Sequence, residues 1–280
     1  DISLLEASFK TLISRHEILR TYFKKDDSGD IRQYIRDVDR IEFKIGFVDA
    51  RGYSESEVSL ALSKTLSMPF NLSEGPLLRI NLYQVSEDHW VFSSVIHHII
   101  CDGWSMEVLV KELLMNYNGL VTEAPLDQSP LRIQYKDYAS WQLESLKGSS
   151  SDKEYWLNHF SGSLPVLDLS GGKPRPAVKT YNGDVYERKF SKELSNKLAR
   201  FLQQEEATLF MGLLGAVNAL FYHYTSQEDI IIGSPISGRD HRDLEDQIGF
   251  YVNTLALRTQ FSKEDNFEAL LSKVKEVVLG

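Results

Sequence analysis

The hydrophobic positions of the chain follow two alternating periods. In residues 2–14 they recur at helical spacing, and in residues 19–23 they recur at every second position, as in a strand. Segments of both kinds then succeed one another to the C-terminus, so the sequence predicts an α/β fold. The predicted helices are 2–14, 55–66, 104–117, two around 135–141 and 155–156, one that Ser191 caps, and 208–223. The predicted strands are 19–23, 41–47, 78–82, 90–96, one near Tyr186, 229–232 and 251–258.

Residues 162–183 interrupt this alternation. The stretch contains Gly171, Gly172 and Pro174 among other glycines and prolines, and it has no hydrophobic period. The chain has 280 residues, and at roughly 150 residues per domain that length suits two domains. We therefore predict an N-terminal lobe at 1–165 and a C-terminal lobe at 166–280.

Charge and composition exclude several classes of function. The 31 Lys and Arg against 40 Asp and Glu give a net charge of −9, and the basic residues form no stripe that could neutralise phosphates, so no nucleic-acid binding is expected. The longest apolar run, 209–222, is shorter than the ~20 residues that span a bilayer, so no membrane insertion is expected. The single cysteine, Cys101, cannot form an internal disulfide, which favours a cytoplasmic location.

The densest group of reactive side chains is the sequence HHIICDG at 97–103, between a predicted strand and a predicted helix. Imidazole titrates near pH ~6.5, so a histidine here can accept a proton from an amine or a hydroxyl. Adjacent residues at a strand end point to opposite faces, so only one of His97 and His98 can face a given cleft. Asp102 can bind a cation and fix the loop, and Gly103 allows a tight turn or a close backbone approach.

This sequence resembles the HHxxxDG signature of the condensation domains of nonribosomal peptide synthetases. Four further segments resemble family elements and occur in the family's order. They are RHEILRTYF at 15–23, YKDYASW at 135–141, GSPISGR at 233–239 and IGFYVNTLALR at 248–258. The family's first motif would precede Asp1 and its last two would follow Gly280, so we expect a fragment that folds poorly by itself.

The resemblance implies a chloramphenicol-acetyltransferase-like fold, with two α/β lobes in a V shape and a tunnel between them. Phosphopantetheine arms of a donor and an acceptor peptidyl carrier protein would enter the tunnel from opposite faces, and an adenylation domain would be a neighbour. The reaction would join a donor acyl or peptidyl thioester to the α-amine of an acceptor aminoacyl thioester. No covalently bound cofactor and no metal are expected.

The resemblance also implies roles for individual residues. His98 would be the catalytic residue, either accepting the amine's proton or orienting the amine and stabilising the tetrahedral intermediate. Asp102 would be structural and would pair with Arg239 of the other lobe, for which a guanidinium offers a bidentate fork. His97 and Gly103 would support the geometry of the loop.

Three further residues allow two interpretations each. Arg20 is either a support of the site or a solvated surface arginine. Asn253, predicted to lie in the middle of a strand, either makes a structural hydrogen bond or lines the tunnel. Cys101 beside two histidines suggests a thiolate nucleophile, but its position is only a spacer in the family, so a covalent mechanism is disfavoured.

Other functions remain open beside condensation. An epimerisation domain shares HHxxxDG but carries a glutamate in an EGHGR-like segment, and the corresponding 235–239 reads PISGR. A heterocyclisation domain would replace the histidine pair with a DxxxxD pattern. A stand-alone acyltransferase of similar fold and a noncatalytic module that docks carrier proteins are the remaining alternatives.

Overall fold

The computed structural model describes residues 1–124, 129–169 and 176–280. By their contacts these residues form two compact units. The first comprises Asp1–Ser149 and Ser237–Asn253, and the second comprises Ser150–Ile236 and Thr254–Gly280. The predicted lobes, 1–165 and 166–280, stay a prediction, and Gly171, Gly172 and Pro174 lie outside the described residues.

Helices and strands alternate in both units. In the first unit they are α1 (Ile2–Arg15), β1 (Thr21–Lys25), β2 (Ile31–Ile35), β3 (Gly46–Asp49), α2 (Glu55–Ser67), β4 (Leu78–Gln84), β5 (Trp90–Ile96), α3 (Gly103–Val121) and α4 (Tyr135–Gly148). In the second they are α5 (Ser150–His159), α6 (Lys192–Gln204), α7 (Leu209–Thr225), β6 (Asp229–Ile236), β7 (Asn253–Gln260), whose first residue groups with the first unit, and α8 (Phe267–Leu279). Among the helices described, none is both long and apolar enough to cross a membrane.

A three-stranded sheet in the first unit carries the loop that holds the two histidines. Its central strand β4 runs parallel to β3 and antiparallel to β5. Leu78 at the start of β4 pairs with Ile96 at the end of β5, and the His97 backbone N–H donates to the Leu77 carbonyl at 2.9 Å. The sheet therefore fixes the backbone up to the first histidine.

The core of the first unit continues from this sheet to helices α1 and α3. Phe9 and Leu12 of α1, Leu109 of α3 and Ile80 of β4 are almost completely buried in one cluster. Ile100, from the histidine loop itself, belongs to the same cluster and is 0% exposed. Complete burial of one such side chain stabilises the fold by about 1.5–3 kcal/mol, so the loop is anchored in the core at that position. The second unit has a separate core formed by α6, α7, β6, β7 and α8.

Several predicted strands differ from the observed ones. No strand forms near Tyr186. A strand needs a hydrogen-bonded neighbour, and no described strand pairs with this segment, whose Tyr186 is 87% exposed. The strand predicted at 41–47 begins only at Gly46, since the Ile45 N–H donates to the Glu6 carboxylate at 2.9 Å instead of to a neighbouring strand. The strand predicted at 19–23 begins at Thr21, because Glu17–Arg20 forms a 3₁₀ turn.

Helices α1 and α3 are also joined by a buried polar group. Glu112 of α3 accepts hydrogen bonds from Arg15 Nε at 3.1 Å and from His16 Nε2 at 2.9 Å. Burial opposes ionisation of Glu112, but these contacts outweigh it and lower the pKa of the carboxyl below its ordinary value. The side chain is 8% exposed, so its charge depends on these two partners.

We expect Glu112→Ala to lower the free energy of unfolding by about 3–5 kcal/mol, because it leaves buried donors without their acceptor. Thermal and urea unfolding measure this loss. The control is Glu144→Ala, whose carboxylate is 76% exposed beside Lys147 and should contribute no more than about 1 kcal/mol. Equal stability losses in the two variants would contradict a structural role for the buried group.

Candidate active site

The two adjacent histidines lie after the end of strand β5 and not on it. The strand ends at Ile96, and His98–Ile100 forms a 3₁₀ turn. His97 precedes the turn, and its Nδ1 accepts the backbone N–H of Ile99 at 3.1 Å. The expectation that strand alternation separates the two side chains is therefore wrong. The turn separates their roles instead, because His97 caps it and is half-buried, whereas His98 is exposed.

The hydrogen bonding of His98 defines the tautomer of its neutral ring. Nδ1 lies 2.6 Å from the Cys101 carbonyl oxygen, and a carbonyl can only accept, so Nδ1 carries the proton. Nε2 then has a free lone pair, and it makes no hydrogen bond to any residue in the described ranges. The arrangement presents a proton acceptor on an exposed side chain, as general base catalysis requires.

Asp102 is the buried centre of the loop. Its carboxylate is 3% exposed and caps helix α3. Oδ1 accepts from the Ser105 N–H at 2.8 Å, the Ser105 hydroxyl at 2.6 Å and Arg239 Nη2 at 3.1 Å, while Oδ2 accepts from the Tyr251 N–H at 3.0 Å. Burial opposes ionisation, but the hydrogen bonds and the charge of Arg239 outweigh it and lower the pKa of Asp102 below its ordinary value.

Arg239 is paired with Asp102, but through one nitrogen only. Nη2 donates to Asp102 and to the Ser105 hydroxyl, whereas Nη1 donates to the carbonyls of Leu244 and Gln247. The bidentate fork suggested by the chemistry of guanidinium is therefore not formed, because Nη1 is directed to these two carbonyls and not to the second carboxylate oxygen. Arg239 lies in the first compact unit together with Asp102. The expected role of the pair in joining two lobes stays a prediction.

The segment before Arg239 needs a glycine. Gly238 has a φ of +62°, in the left-handed region, and a Cβ there would collide with the Tyr251 carbonyl. The guanidinium carbon of Arg239 in turn lies 4.1 Å from the centre of the Tyr251 ring. A positive charge over an aromatic face is attracted by the ring, so the arginine holds this segment by stacking as well as by hydrogen bonds.

Ser105 is a central residue that the sequence reasoning missed. Its hydroxyl proton can be donated to Asp102 or to the Gly249 carbonyl at 2.8 Å, and its oxygen accepts from the Gly249 N–H at 3.0 Å and from Arg239. The available signal was the position of Ser105 three residues after Asp102, where a helix N-cap aspartate meets a backbone N–H. The long-range contact to Gly249 has no local signal.

The residues around Gly249 are held from a second side by helix α4. A Cβ at Gly249 would collide with the rings of Tyr135 and Tyr251, and the Tyr135 hydroxyl donates to the Phe250 carbonyl at 2.9 Å. The Phe250 ring then lies beside His98, with the ring centres 5.2 Å apart and the planes at 76°. The sequence reasoning did not single out Phe250.

Other predicted residues have different surroundings from those expected. Gly103 begins α3 without a left-handed φ, and a Cβ there would meet no atom within 4 Å, so neither a tight turn nor a close approach requires glycine. Asn253 is the first residue of β7 and is exposed, so its predicted position in mid-strand is wrong. Its role, like the support of the loop by Gly103, stays a prediction.

Arg20 is not a solvated surface residue, since its side chain is 12% exposed. Nη1 donates to the Arg36 carbonyl at 2.7 Å, and Nη2 lies 3.6 Å from the Glu17 carboxylate. It lines a cavity of about 300 Å³ whose walls do not include His98. A supporting role at the site stays a prediction.

Cys101 does not have the properties of a nucleophile. Burial, followed by the charge of Asp102, raises the pKa of its thiol to about 12, so the thiol stays protonated at neutral pH. In the described part of the chain, no group of histidine, cysteine and carboxylate side chains could hold a metal ion.

Comparisons with known proteins agree on one family. The protein-family model described as "Condensation domain" matches residues 1–280. One component of the linear gramicidin synthase of Brevibacillus parabrevis is 42% identical over 282 residues, which cover 99% of this chain but only 5% of that protein. Surfactin synthase subunit 1 of Bacillus subtilis (strain 168) is 39% identical over 281 residues, covering 100% of this chain and 7% of that protein.

Solved structures agree in fold. The X-domain in a complex with OxyB from teicoplanin biosynthesis has a TM-score of 0.87 at 26% identity, covering 100% of this chain and 62% of that one. The first condensation domain of the CDA synthetase has a TM-score of 0.81 at 19% identity, with 100% and 66% covered. The predicted α/β fold class of chloramphenicol-acetyltransferase type is thus confirmed, and the V shape and the tunnel stay a prediction.

We expect Asp102→Ala to lower the free energy of unfolding by about 3–5 kcal/mol, because Arg239 would stay buried without its counter-charge. Thermal and urea unfolding measure the effect. Asp246→Ala, which removes a carboxylate that is 72% exposed and 3.8 Å from Lys111, is the control and should change stability by less than about 1 kcal/mol. If Asp102→Ala kept its stability but lost chemistry, the aspartate would be catalytic and the structural role would be wrong.

The lowered pKa of Asp102 also predicts a pH dependence. A carboxyl whose pKa is lower in the folded than in the unfolded state stabilises the fold above the unfolded value, ordinarily 3.8, and loses that contribution as the pH falls through the folded value. The stability difference between the wild type and Asp102→Asn should therefore be constant above about pH 5 and shrink below pH 3.8. Urea unfolding across this range measures it, and a difference that stays constant down to pH 2 would contradict the prediction.

Proposed function

The chain belongs to the condensation-domain family, and on that premise we propose that it forms an amide bond between two thioester-bound substrates. The donor is an acyl or peptidyl thioester, and the acceptor is an aminoacyl thioester with a free α-amine. The observation that carries the proposal is the exposed His98, whose Nδ1 is fixed on the Cys101 carbonyl at 2.6 Å and whose Nε2 is free.

The reaction needs one proton to move. The α-amine nitrogen attacks the donor carbonyl carbon, the C–N bond forms and a tetrahedral intermediate develops. The C–S bond then breaks, and the proton lost by the amine ends on the departing thiol. Nε2 of neutral His98 can accept that proton and return it to sulfur, and the imidazolium formed would be held by the Nδ1–H bond to the carbonyl.

A second role for His98 uses the same geometry. Nε2 can accept a hydrogen bond from the amine and so orient its lone pair towards the carbonyl, without removing the proton completely. The remaining residues act through position, since Asp102, Ser105 and Arg239 fix the loop and do not face the reacting atoms.

We further propose that both thioesters are delivered on phosphopantetheine arms of peptidyl carrier proteins. The support is the family and the similarity to synthetase subunits. These arms are parts of the substrates and not resident cofactors. An adenylation domain in the parent protein would load the carriers, and the reaction would be placed in the cytoplasm, where synthetase modules of this kind would find activated amino acids.

Three other functions of the same fold can be distinguished from condensation. Epimerisation is disfavoured because residues 235–239 lack the glutamate that it would use. A noncatalytic docking role is favoured by one observation, the similarity to an X-domain described in complex with OxyB. Adenylation and carrier domains next to this segment in the parent reading frame would favour condensation over docking and over a stand-alone acyltransferase.

We expect His98→Ala in the full-length parent protein to lower the rate of amide formation by roughly 10²- to 10⁴-fold, the usual contribution of general acid–base catalysis. Two loaded carriers are mixed, and mass spectrometry follows the transfer of the donor group to the acceptor. Carrier binding, measured separately by titration, should be unchanged.

The matched control is His97→Asn. Asparagine is a good N-cap residue and can accept the Ile99 N–H that His97 Nδ1 now accepts at 3.1 Å, so turnover should stay within a few-fold of the wild type. Near-normal turnover in His98→Ala would contradict the catalytic role. Absence of turnover in the wild type, with carrier binding intact, would support the docking function instead.

A further inference from the structure

Phe250 has an environment that packing alone does not explain. The residue is 39% exposed, and it is absent from the hydrophobic core clusters of the described chain. Its ring nevertheless lies against the exposed His98, with centres 5.2 Å apart and planes at 76°. This edge-to-face geometry is one that aromatic rings prefer, and such pairs contribute beyond the area that they bury.

The backbone around Phe250 is fastened on both sides. The N–H and the carbonyl of Gly249 meet the Ser105 hydroxyl at 3.0 and 2.8 Å, and the Tyr251 N–H donates to Asp102 at 3.0 Å. The Phe250 carbonyl itself accepts from the Tyr135 hydroxyl at 2.9 Å. None of these bonds involves the Phe250 side chain, so the backbone would stay in place with another residue at this position.

A partly exposed ring on a fixed backbone, beside a histidine that is held by one hydrogen bond, acts on that histidine in two ways. It limits rotation of the imidazole about its side-chain bonds. It also occupies space beside the ring and so restricts what can approach it.

We propose that Phe250 is a positioning residue for His98 and a determinant of acceptor specificity. The inference rests on the proposed function, in which the acceptor amine must reach His98 Nε2. That amine is one bond from the Cα that carries the acceptor side chain, so this side chain lies within reach of a wall beside the imidazole. A large ring at position 250 selects against bulky and β-branched acceptors.

The first test observes the contact without any activity. A phenyl ring this close shifts the NMR resonances of the His98 ring protons, which are assigned by their loss in His98→Ala. Phe250→Leu should move these resonances, and Phe250→Tyr should retain them. Phe47→Leu is the matched control, since Phe47 is 51% exposed and contacts Trp90 in the same compact unit. If Phe250→Leu left the His98 resonances where the control leaves them, the contact would not exist and the proposal would fail.

The second test measures selectivity. The ratio of kcat/KM for a valyl acceptor to that for an alanyl acceptor is determined with the full-length parent protein. Phe250→Ala and Phe250→Leu should raise this ratio by about 10-fold or more, the discrimination that a few methylene groups in a pocket supply. Phe250→Tyr and Phe47→Leu should leave it unchanged.

The two proposals fail separately. If the valyl-to-alanyl ratio of kcat/KM were unchanged in Phe250→Ala and Phe250→Leu, with turnover of the alanyl acceptor intact, the specificity role would be overturned and condensation would remain supported. Normal turnover in His98→Ala would overturn the catalytic function, whereas the NMR contact between Phe250 and His98 would still be observed in the wild type. A changed ratio caused only by partial unfolding is recognised by the melting temperature, which should match that of Phe47→Leu.

Discussion

The arrangement of the candidate site depends on the burial of one carboxylate, that of Asp102. An ionised carboxylate is stable in a protein interior only if each oxygen is hydrogen-bonded and the charge is compensated. Four donor groups meet this requirement, and they come from three separate parts of the chain: the start of α3, Arg239 and the backbone of Tyr251. Segment 237–253, far along the sequence, must therefore lie against the start of α3 whenever Asp102 is charged. Gly238 and Gly249 permit this close approach, because at both positions a side chain would collide with Tyr251.

The carboxylate and the reactive histidine are neighbours in sequence but have separate roles. No hydrogen bond or ion pair joins His98 to Asp102 among the described residues, and Nδ1 of His98 is held by the Cys101 carbonyl instead. An aspartate bound to the imidazole would lower the cost of protonating it, whereas a backbone carbonyl orients the ring without adding a charge. The two residues are only four positions apart, and their roles are separate because the 3₁₀ turn His98–Ile100 sends the histidine outwards and Ile100 inwards to the core. The fold is thus stabilised next to the candidate site without involving the group that the proposed reaction needs.

The spacing of hydrophobic residues predicted those helices and strands of the site that are specified by their own sequence. Strands β4 and β5, helix α3 and the loop between them followed from hydrophobic spacing. The resemblance predicted the pairing of Asp102 with Arg239, which the structure contains, and a catalytic role for His98, which stays a prediction. The prediction of a strand near Tyr186 was wrong, because alternation of hydrophobic residues indicates a possible strand and not the neighbouring strand that must pair with it. Ser105 and Phe250 were missed, and the contact of Tyr135 with the Phe250 carbonyl was not predicted, for a related reason. Their contacts join residues more than 100 positions apart in sequence, and nothing in the neighbouring sequence of either partner specifies the other.

The buried pair itself is better explained by the position that it defines than by the stability that it adds. Removing one partner of such a pair is costly, but replacing both with apolar groups is often neutral or stabilising, so stability alone does not require an ion pair here. An apolar contact would also tolerate small displacements of segment 237–253, whereas a carboxylate with four donors at 2.6–3.1 Å does not. Since the Phe250 ring lies against the His98 ring, a displacement of about 1 Å would change the space beside the imidazole. We therefore interpret the charge as the element that keeps a distant segment in register with the imidazole, which is a requirement of the proposed chemistry and not of folding.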